Sequence, residues 1–266
     1  MKVAIIGFGN IGRIYARSFV KLGLVERNNI FISARSAEKS KEEGFSTLNE
    51  NPELISVADV IIIAVKPQDF PSLIPNLQNK LRPEQVVLSV MAGVTIEQIS
   101  KALHHPTVVR AMPNSPIEIG MGVTGFCASP QVNLDQIRMV EQLLSTTGRT
   151  AFFKNEELMD AVTALSGSGP AYFFYFVQCM IEAGIEMGFE ASVSSLLVKQ
   201  TMLGAFHLLN SSDLPLEDLI KTVASKGGTT EAAFRIFHQG KLNEVVKDGI
   251  FAAKNRGAEL SNLITH

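Results

Sequence analysis

Two short stretches hold residue types whose spacing could do chemistry, one near each end of the chain. The first, Gly7-Phe8-Gly9-Asn10-Ile11-Gly12, follows an apolar run and opens a helical pattern. In a dinucleotide site each of these glycines has a task. Gly7 allows a tight turn, Gly9 lets backbone approach a pyrophosphate, and Gly12 lets helix and strand pack closely. The helix start then offers unpaired N–H groups and the positive end of its dipole to the phosphates. Three glycines can also mark an ordinary turn; the position at the first strand–helix junction decides for binding. The second stretch is Ser225-Lys226-Gly227-Gly228-Thr229-Thr230. Its glycines free the backbone to expose N–H groups, and its threonines begin a helix expected over Thr230–His238. Such a loop suits a small amino or imino acid held by its carboxylate. Without the upstream fingerprint it would read as a plain helix cap after a flexible turn.

The end of the second strand bears on the cofactor. It reads Ile32-Ser33-Ala34-Arg35-Ser36, with no acid before Glu38. An NAD site places a carboxylate there for the ribose 2′-hydroxyl, whereas Arg35 and Ser33 suit a 2′-phosphate. NADPH is therefore the expected cofactor, with NADH as a weaker alternative. Ala64-Val65-Lys66-Pro67 and Met91-Ala92-Gly93 end later strands, where open sheets bind ligands. Asn51-Pro52-Glu53 reads as a helix cap with proline at the first helical position. Glu156 and Glu157 read as a solvated helix start, and Lys199 as a structural or surface lysine. No histidine or cysteine pair has zinc-ligand spacing, so no metal is expected.

These residues need a frame. Lys2–Ile6, Ile30–Ala34, Val60–Val65, Val86–Val90 and Val108–Met112 are β-branched runs that read as strands. Ile11–Leu22, Ala37–Glu43, Phe70–Leu77 and Thr95–Ala102 read as the crossover helices between them. The alternation predicts an α/β fold, an N-terminal Rossmann-like doubly wound sheet. Gly120–Cys127 and Arg149–Phe153 are weaker strands flanking a helix over Leu134–Ser145. Beyond about residue 155 the pattern turns helical: Leu158–Leu165, Ala171–Met187, Val193–Leu209, Leu216–Ala224, Thr230–His238 and Val245–Leu260. The expected division is 1–155 for the dinucleotide domain and 156–266 for an all-helical domain. Ala171–Met187 is apolar on most faces, which calls for burial on every side and favours a subunit interface.

Composition excludes several classes. With 46% apolar and 19% charged residues the chain is globular, and a net charge of −2 argues against nucleic-acid or anionic-membrane partners. Cys127 and Cys179 give no disulfide framework, which fits a reducing compartment. No apolar run approaches the length of a membrane span and the start lacks a signal-peptide pattern, so a cytoplasmic, unprocessed protein is expected.

The chain resembles the Δ1-pyrroline-5-carboxylate reductase family over nearly its whole length. The resemblance rests on Ala64–Pro67, Arg110-Ala111-Met112-Pro113-Asn114-Ser115-Pro116, Ser166-Gly167-Ser168-Gly169-Pro170-Ala171-Tyr172, and Val223-Ala224-Ser225-Lys226-Gly227-Gly228-Thr229-Thr230. It implies hydride transfer from NADPH to a cyclic imine, the last step of proline synthesis. It also implies that Asn51, Ala64–Pro67 and Met91–Gly93 line the ribose and nicotinamide end. Thr230 is implied to supply a hydroxyl at the imine nitrogen and Ser225 to shape the pocket, with the N–H groups of Gly228 and Thr229 on the substrate carboxylate. A homodimer built on the helical domain, assembled into a larger homo-oligomer, is implied as well. The family commonly has proline where Lys226 stands, and often threonine at Ala224 and Ser115. Lys226 keeps two alternatives in view: a reductase of another imine or a hydroxy acid, and a reductase-like regulator without activity.

Overall fold

The computed structural model describes residues 1–35, 38–50 and 52–263. Contacts divide the chain into two compact units, Met1–Ser168 with Ala253–His266, and Gly169–Ala252.

The first unit is built on one eight-stranded sheet: β1 (Val3–Ile6), β2 (Ile30–Ser33), β3 (Ser46–Thr47), β4 (Val60–Ile63), β5 (Val86–Ser89), β6 (Val108–Met112), β7 (Gly122–Ala128) and β8 (Gly148–Phe152). Their order is β3-β2-β1-β4-β5-β6-β7-β8. The first six run parallel; β7 is antiparallel to β6, and β8 parallel to β7. The β6–β7 connection holds only a 3-10 turn, Ser115–Ile119, which is too short for a parallel crossover. Register explains why the central strands are apolar on both sides. Ile5 pairs with Ile32 and Ile62, and all three enter one core with Val3, Val60 and Leu88. Their neighbours Ala4, Ile6, Phe31, Ile61 and Ile63 enter the core on the opposite face.

Helices cover these faces: α1 (Asn10–Lys21), α2 (Glu38–Glu42), α3 (Ile74–Leu77), α4 (Ile96–Leu103), α5 (Leu134–Ser145) and α6 (Leu158–Val162). Thr95 and Asn133 close α4 and α5 with capping boxes to Gln98 and Gln136. Two expected helices differ. Phe70–Leu77 is mostly a 3-10 segment, Pro67–Leu73, that becomes α-helical only at Ile74, because Pro71 and Pro75 remove two amide donors. Leu158–Leu165 is α-helical to Val162 and then widens into a π-turn, Thr163–Gly167. Strand β3 had no counterpart among the expected elements.

The second unit is helical: α7 (Gly169–Glu186), α8 (Ala191–Ser211), α9 (Leu216–Val223), α10 (Thr229–Gln239) and the start of α11 (Leu242–Leu263). Helices α7 and α8 approach closely at Gly184, where any Cβ would strike the Ser194 hydroxyl, and that hydroxyl donates to the Ile181 carbonyl at 2.8 Å. Phe173, Phe174, Tyr175, Leu196 and Leu203 are exposed on this single chain. Among the described residues no helix is long and apolar enough to cross a membrane. An exposed apolar surface of this kind marks a protein contact.

Candidate functional site

The glycine turn joins three strand ends. Gly7 has φ +101°, and its N–H donates to the Ser33 carbonyl at 2.8 Å. A Cβ there would lie 2.7 Å from the Ala64 carbonyl oxygen, so Ala64 and Val65 pack directly on the turn. Gly9 caps α1 without any side-chain bond and has open space around its Cα. The first intrahelical bond runs from Arg13 N–H to the Gly9 carbonyl at 3.0 Å. The N–H groups of Asn10, Ile11 and Gly12 thus precede the helical ladder. Phe8 turns its ring into the core, edge-on to Phe45, and contributes only backbone to the turn. A turn with open space at Gly9 and amides ahead of the ladder fits a dinucleotide pyrophosphate.

Most of the other expected cofactor residues lie at the carboxyl ends of β2, β4 and β5. Lys66 takes an extended conformation and Pro67 opens the 3-10 segment. Met91 is buried, with its N–H donating to Ser89 Oγ at 3.3 Å, and Gly93 turns with φ +74°. Ser33 lines a cavity of about 340 Å³ with Asn49, Asn76 and Lys80. Asn51 lies outside the described residues. Asn49, which sequence reasoning passes over, brackets the Ala34 peptide: Nδ2 donates to its carbonyl at 2.7 Å and Oδ1 accepts from its N–H at 3.3 Å. The chain between Ser33 and Arg35 is therefore fixed. Arg35 is not a lone cation, for its Nη2 meets Asp69 Oδ1 at 2.6 Å.

The Ser225–Thr230 loop is compact. Gly227 turns with φ +74°, and the Gly228 N–H donates to the Ser225 carbonyl at 3.0 Å. A Cβ on Gly228 would lie 2.6 Å from Ser225 Oγ, so glycine is needed for the serine to fold over it. Helix α10 starts one residue earlier than expected, at Thr229, and its first bond is Ala232 N–H to the Gly228 carbonyl. The N–H groups of Thr229 and Thr230 precede that ladder, whereas the Gly228 N–H is already engaged. Sequence reasoning also missed Glu231, whose Oε2 accepts from the Gly227 N–H at 2.6 Å. A carboxylate of the chain itself thus sits on this loop. A pocket of about 770 Å³ borders it, lined by Gly227, Gly228, Glu231, Arg235 and His238.

The expected solvated start at Glu156 and Glu157 holds only in part. Glu157 is exposed and bonds with Asn155. Glu156 instead meets the buried Arg110 at 3.1 Å and accepts from the Ile96 N–H at 2.8 Å, at the start of α4. Arg110 also meets Asp160 at 3.0 Å. Burial and the Glu156 charge push the neighbouring Cys127 thiol up to about 12, so it is not a nucleophile.

Known proteins resemble both halves. The family model for pyrroline-5-carboxylate reductase dimerisation matches residues 156–260, and that for NADP oxidoreductase, coenzyme F420-dependent, matches residues 2–93. A pyrroline-5-carboxylate reductase of Pseudomonas aeruginosa is 36% identical over 98% of this chain and 97% of its own length. Pyrroline-5-carboxylate reductase 2 of Bacillus subtilis is 32% identical over 97% of this chain and 95% of its own. Among solved structures, a pyrroline-5-carboxylate reductase from Coxiella burnetii superposes with a TM-score of 0.87 at 32% identity, covering 97% of this chain and 98% of that one. The Plasmodium falciparum pyrroline carboxylate reductase, solved with NADP bound, gives 0.87 at 26% identity over 98% of both chains.

Proposed function

The chain belongs to the pyrroline-5-carboxylate reductase family, and from that premise we propose that it reduces Δ1-pyrroline-5-carboxylate to L-proline with NADPH. The observation that carries the reading is the Gly227-Gly228 turn, which starts α10 with Thr229 and Thr230 ahead of the hydrogen-bond ladder. NADPH, when bound, supplies the hydride that adds to the C=N carbon. The amides of Asn10–Gly12 would hold its pyrophosphate, Ser33 and Arg35 its 2′-phosphate, and Asn51, Ala64–Pro67 and Met91–Gly93 its ribose and nicotinamide end. Addition at carbon leaves electron density on nitrogen, so a donor is needed there. Thr230 gives that hydrogen bond, Ser225 shapes the pocket, and the Thr229 amide receives the substrate carboxylate. The Gly228 amide can join only by releasing the Ser225 carbonyl. The iminium can bring its own proton, so the protein's main contribution is positioning.

The functional division is 1–155 for NADPH and 156–266 for substrate and dimerisation. The dimerisation domain makes the protein a homo-oligomer, in which a second copy covers the exposed apolar residues of α7 and α8. We place this enzyme in the cytoplasm, as a dimer assembled into a ring of dimers.

The test is NADPH consumption by the purified protein with pyrroline-5-carboxylate, repeated with NADH. Turnover favouring NADPH is expected. Folded protein that binds NADPH yet gives no turnover would move the weight to Lys226 and an altered or lost activity. Thr230→Ala is expected to lower kcat/KM at least about tenfold, a floor below the roughly 10²–10⁴ of full general acid catalysis because the hydroxyl chiefly orients, with NADPH affinity near normal. Unchanged steady-state kinetics would remove Thr230 from its role.

A further inference from the structure

The sequence has no acid at the end of β2, but the fold brings one there. Strands β2 and β4 flank β1, so the loops leaving their carboxyl ends meet beside the glycine turn. Arg35 belongs to the first loop and Asp69 to the second, and they meet at 2.6 Å. The two partners are unequally held. Asp69 lies in the 3-10 segment opened by Pro67; its N–H donates to the Lys66 carbonyl at 2.9 Å and its own carbonyl accepts from Ser72 Oγ at 2.7 Å. The Arg35 side chain is 85% exposed against 30% for Asp69. The arginine is the freer of the two to re-aim, because the Asp69 backbone is held and its side chain is the less exposed.

We propose that Asp69 determines how strongly this chain discriminates between NADPH and NADH, an inference that rests on the reading of Arg35 as the cation for the 2′-phosphate. An exposed arginine–carboxylate pair is weak, so a phosphate of nearly double charge can draw the guanidinium away. The Asp69 charge, on its held backbone, then remains beside that phosphate and repels it. NADH presents a neutral 2′-hydroxyl instead. For that group Asp69 is an acceptor, in the role of the acid that NAD sites carry at the end of their second strand. One ion pair thereby serves either cofactor, at reduced preference for NADPH.

The experiment compares Asp69→Asn and Asp69→Ser with Arg35→Ala in the full-length enzyme. For each, kcat and KM are measured with NADPH and with NADH, at low and high salt. Removing the Asp69 charge is expected to lower the KM for NADPH about threefold and to raise that for NADH about twofold at low salt. The NADPH shift shrinks as salt screens the charge, whereas the NADH shift, a hydrogen bond to a neutral hydroxyl, does not. Arg35→Ala is expected to raise the KM for NADPH about fivefold, and that for NADH little. A preference that both Asp69 variants leave unchanged or move toward NADH, beside an impaired Arg35→Ala, overturns the role of Asp69 alone. An Arg35→Ala enzyme with unaltered KM for NADPH overturns the phosphate reading and this inference with it.

Discussion

Arg110→Met is expected to destabilise the protein by about 3 kcal/mol, the lower end of the cost of breaking a buried ion pair. The Arg110 side chain is only 5% exposed on strand β6, whereas Glu156 and Asp160 keep 29% and 21% exposure. Methionine fills much of the arginine volume, so packing loss is small. The cost arises because two carboxylates lose their cation, and partial exposure keeps that cost from reaching its upper end. The consequence spreads through the fold. Glu156 also holds the first amide of α4, and a Cβ on Gly257 of α11 would lie 3.7 Å from the Asp160 Cβ. The melting temperature is expected to fall by about 6–12 °C, using the usual slope for a domain of this size. Adding Glu156→Gln and Asp160→Asn to Arg110→Met should restore at least half of the loss, because neutral amides need no counter-charge. A triple variant as unstable as the single one would assign the loss to packing and reject the electrostatic account.

The same network marks where sequence reasoning stops. Val60–Ile63 and Val86–Ser89 are legible as buried parallel strands because every residue must face one core or the other. The glycine turn is legible because few sequences need three such spaced glycines beside a strand. Asp69 is invisible beside Arg35, since their meeting depends on β1 lying between β2 and β4. Glu156 looks solvated for a similar reason: its partner sits 46 residues away, on a strand that reads as apolar. The 3-10 segment at Pro67–Leu73 was open to anticipation from Pro71 and Pro75, but the apolar spacing of Phe70, Leu73, Ile74 and Leu77 spoke for a helix. In the Ser225–Thr230 loop, the glycines announce a turn. They do not announce that Glu231 reaches back to the Gly227 amide.

Gly12→Ala is expected to weaken NADPH binding about 100-fold, the order expected when one or two hydrogen bonds to the charged pyrophosphate, each worth about 1.5–3 kcal/mol, are lost. The added Cβ would sit inside the contact distance of the Gly7 carbonyl oxygen, and 3.2 Å from Ile5 Cγ2. Neither neighbour can yield. Gly7 is fixed by its bond to the Ser33 carbonyl and by Ala64 against its Cα, and Ile5 lies in the centre of the sheet. The start of α1 must therefore lift off β1, and the amides of Asn10–Gly12 lift with it. Gly9→Ala gives the decisive contrast. Its Cβ meets nothing within 4 Å, and its backbone at φ −80° suits alanine, so the free protein should melt close to the parent. Its NADPH affinity should nonetheless fall, because the methyl group stands where the pyrophosphate must approach. Thermal melts and fluorescence titrations with NADPH on both variants separate the two roles. Weak binding with a lowered melt for Gly12→Ala, and weak binding alone for Gly9→Ala, is the expected pattern. Normal NADPH affinity in both would take the phosphates away from this turn.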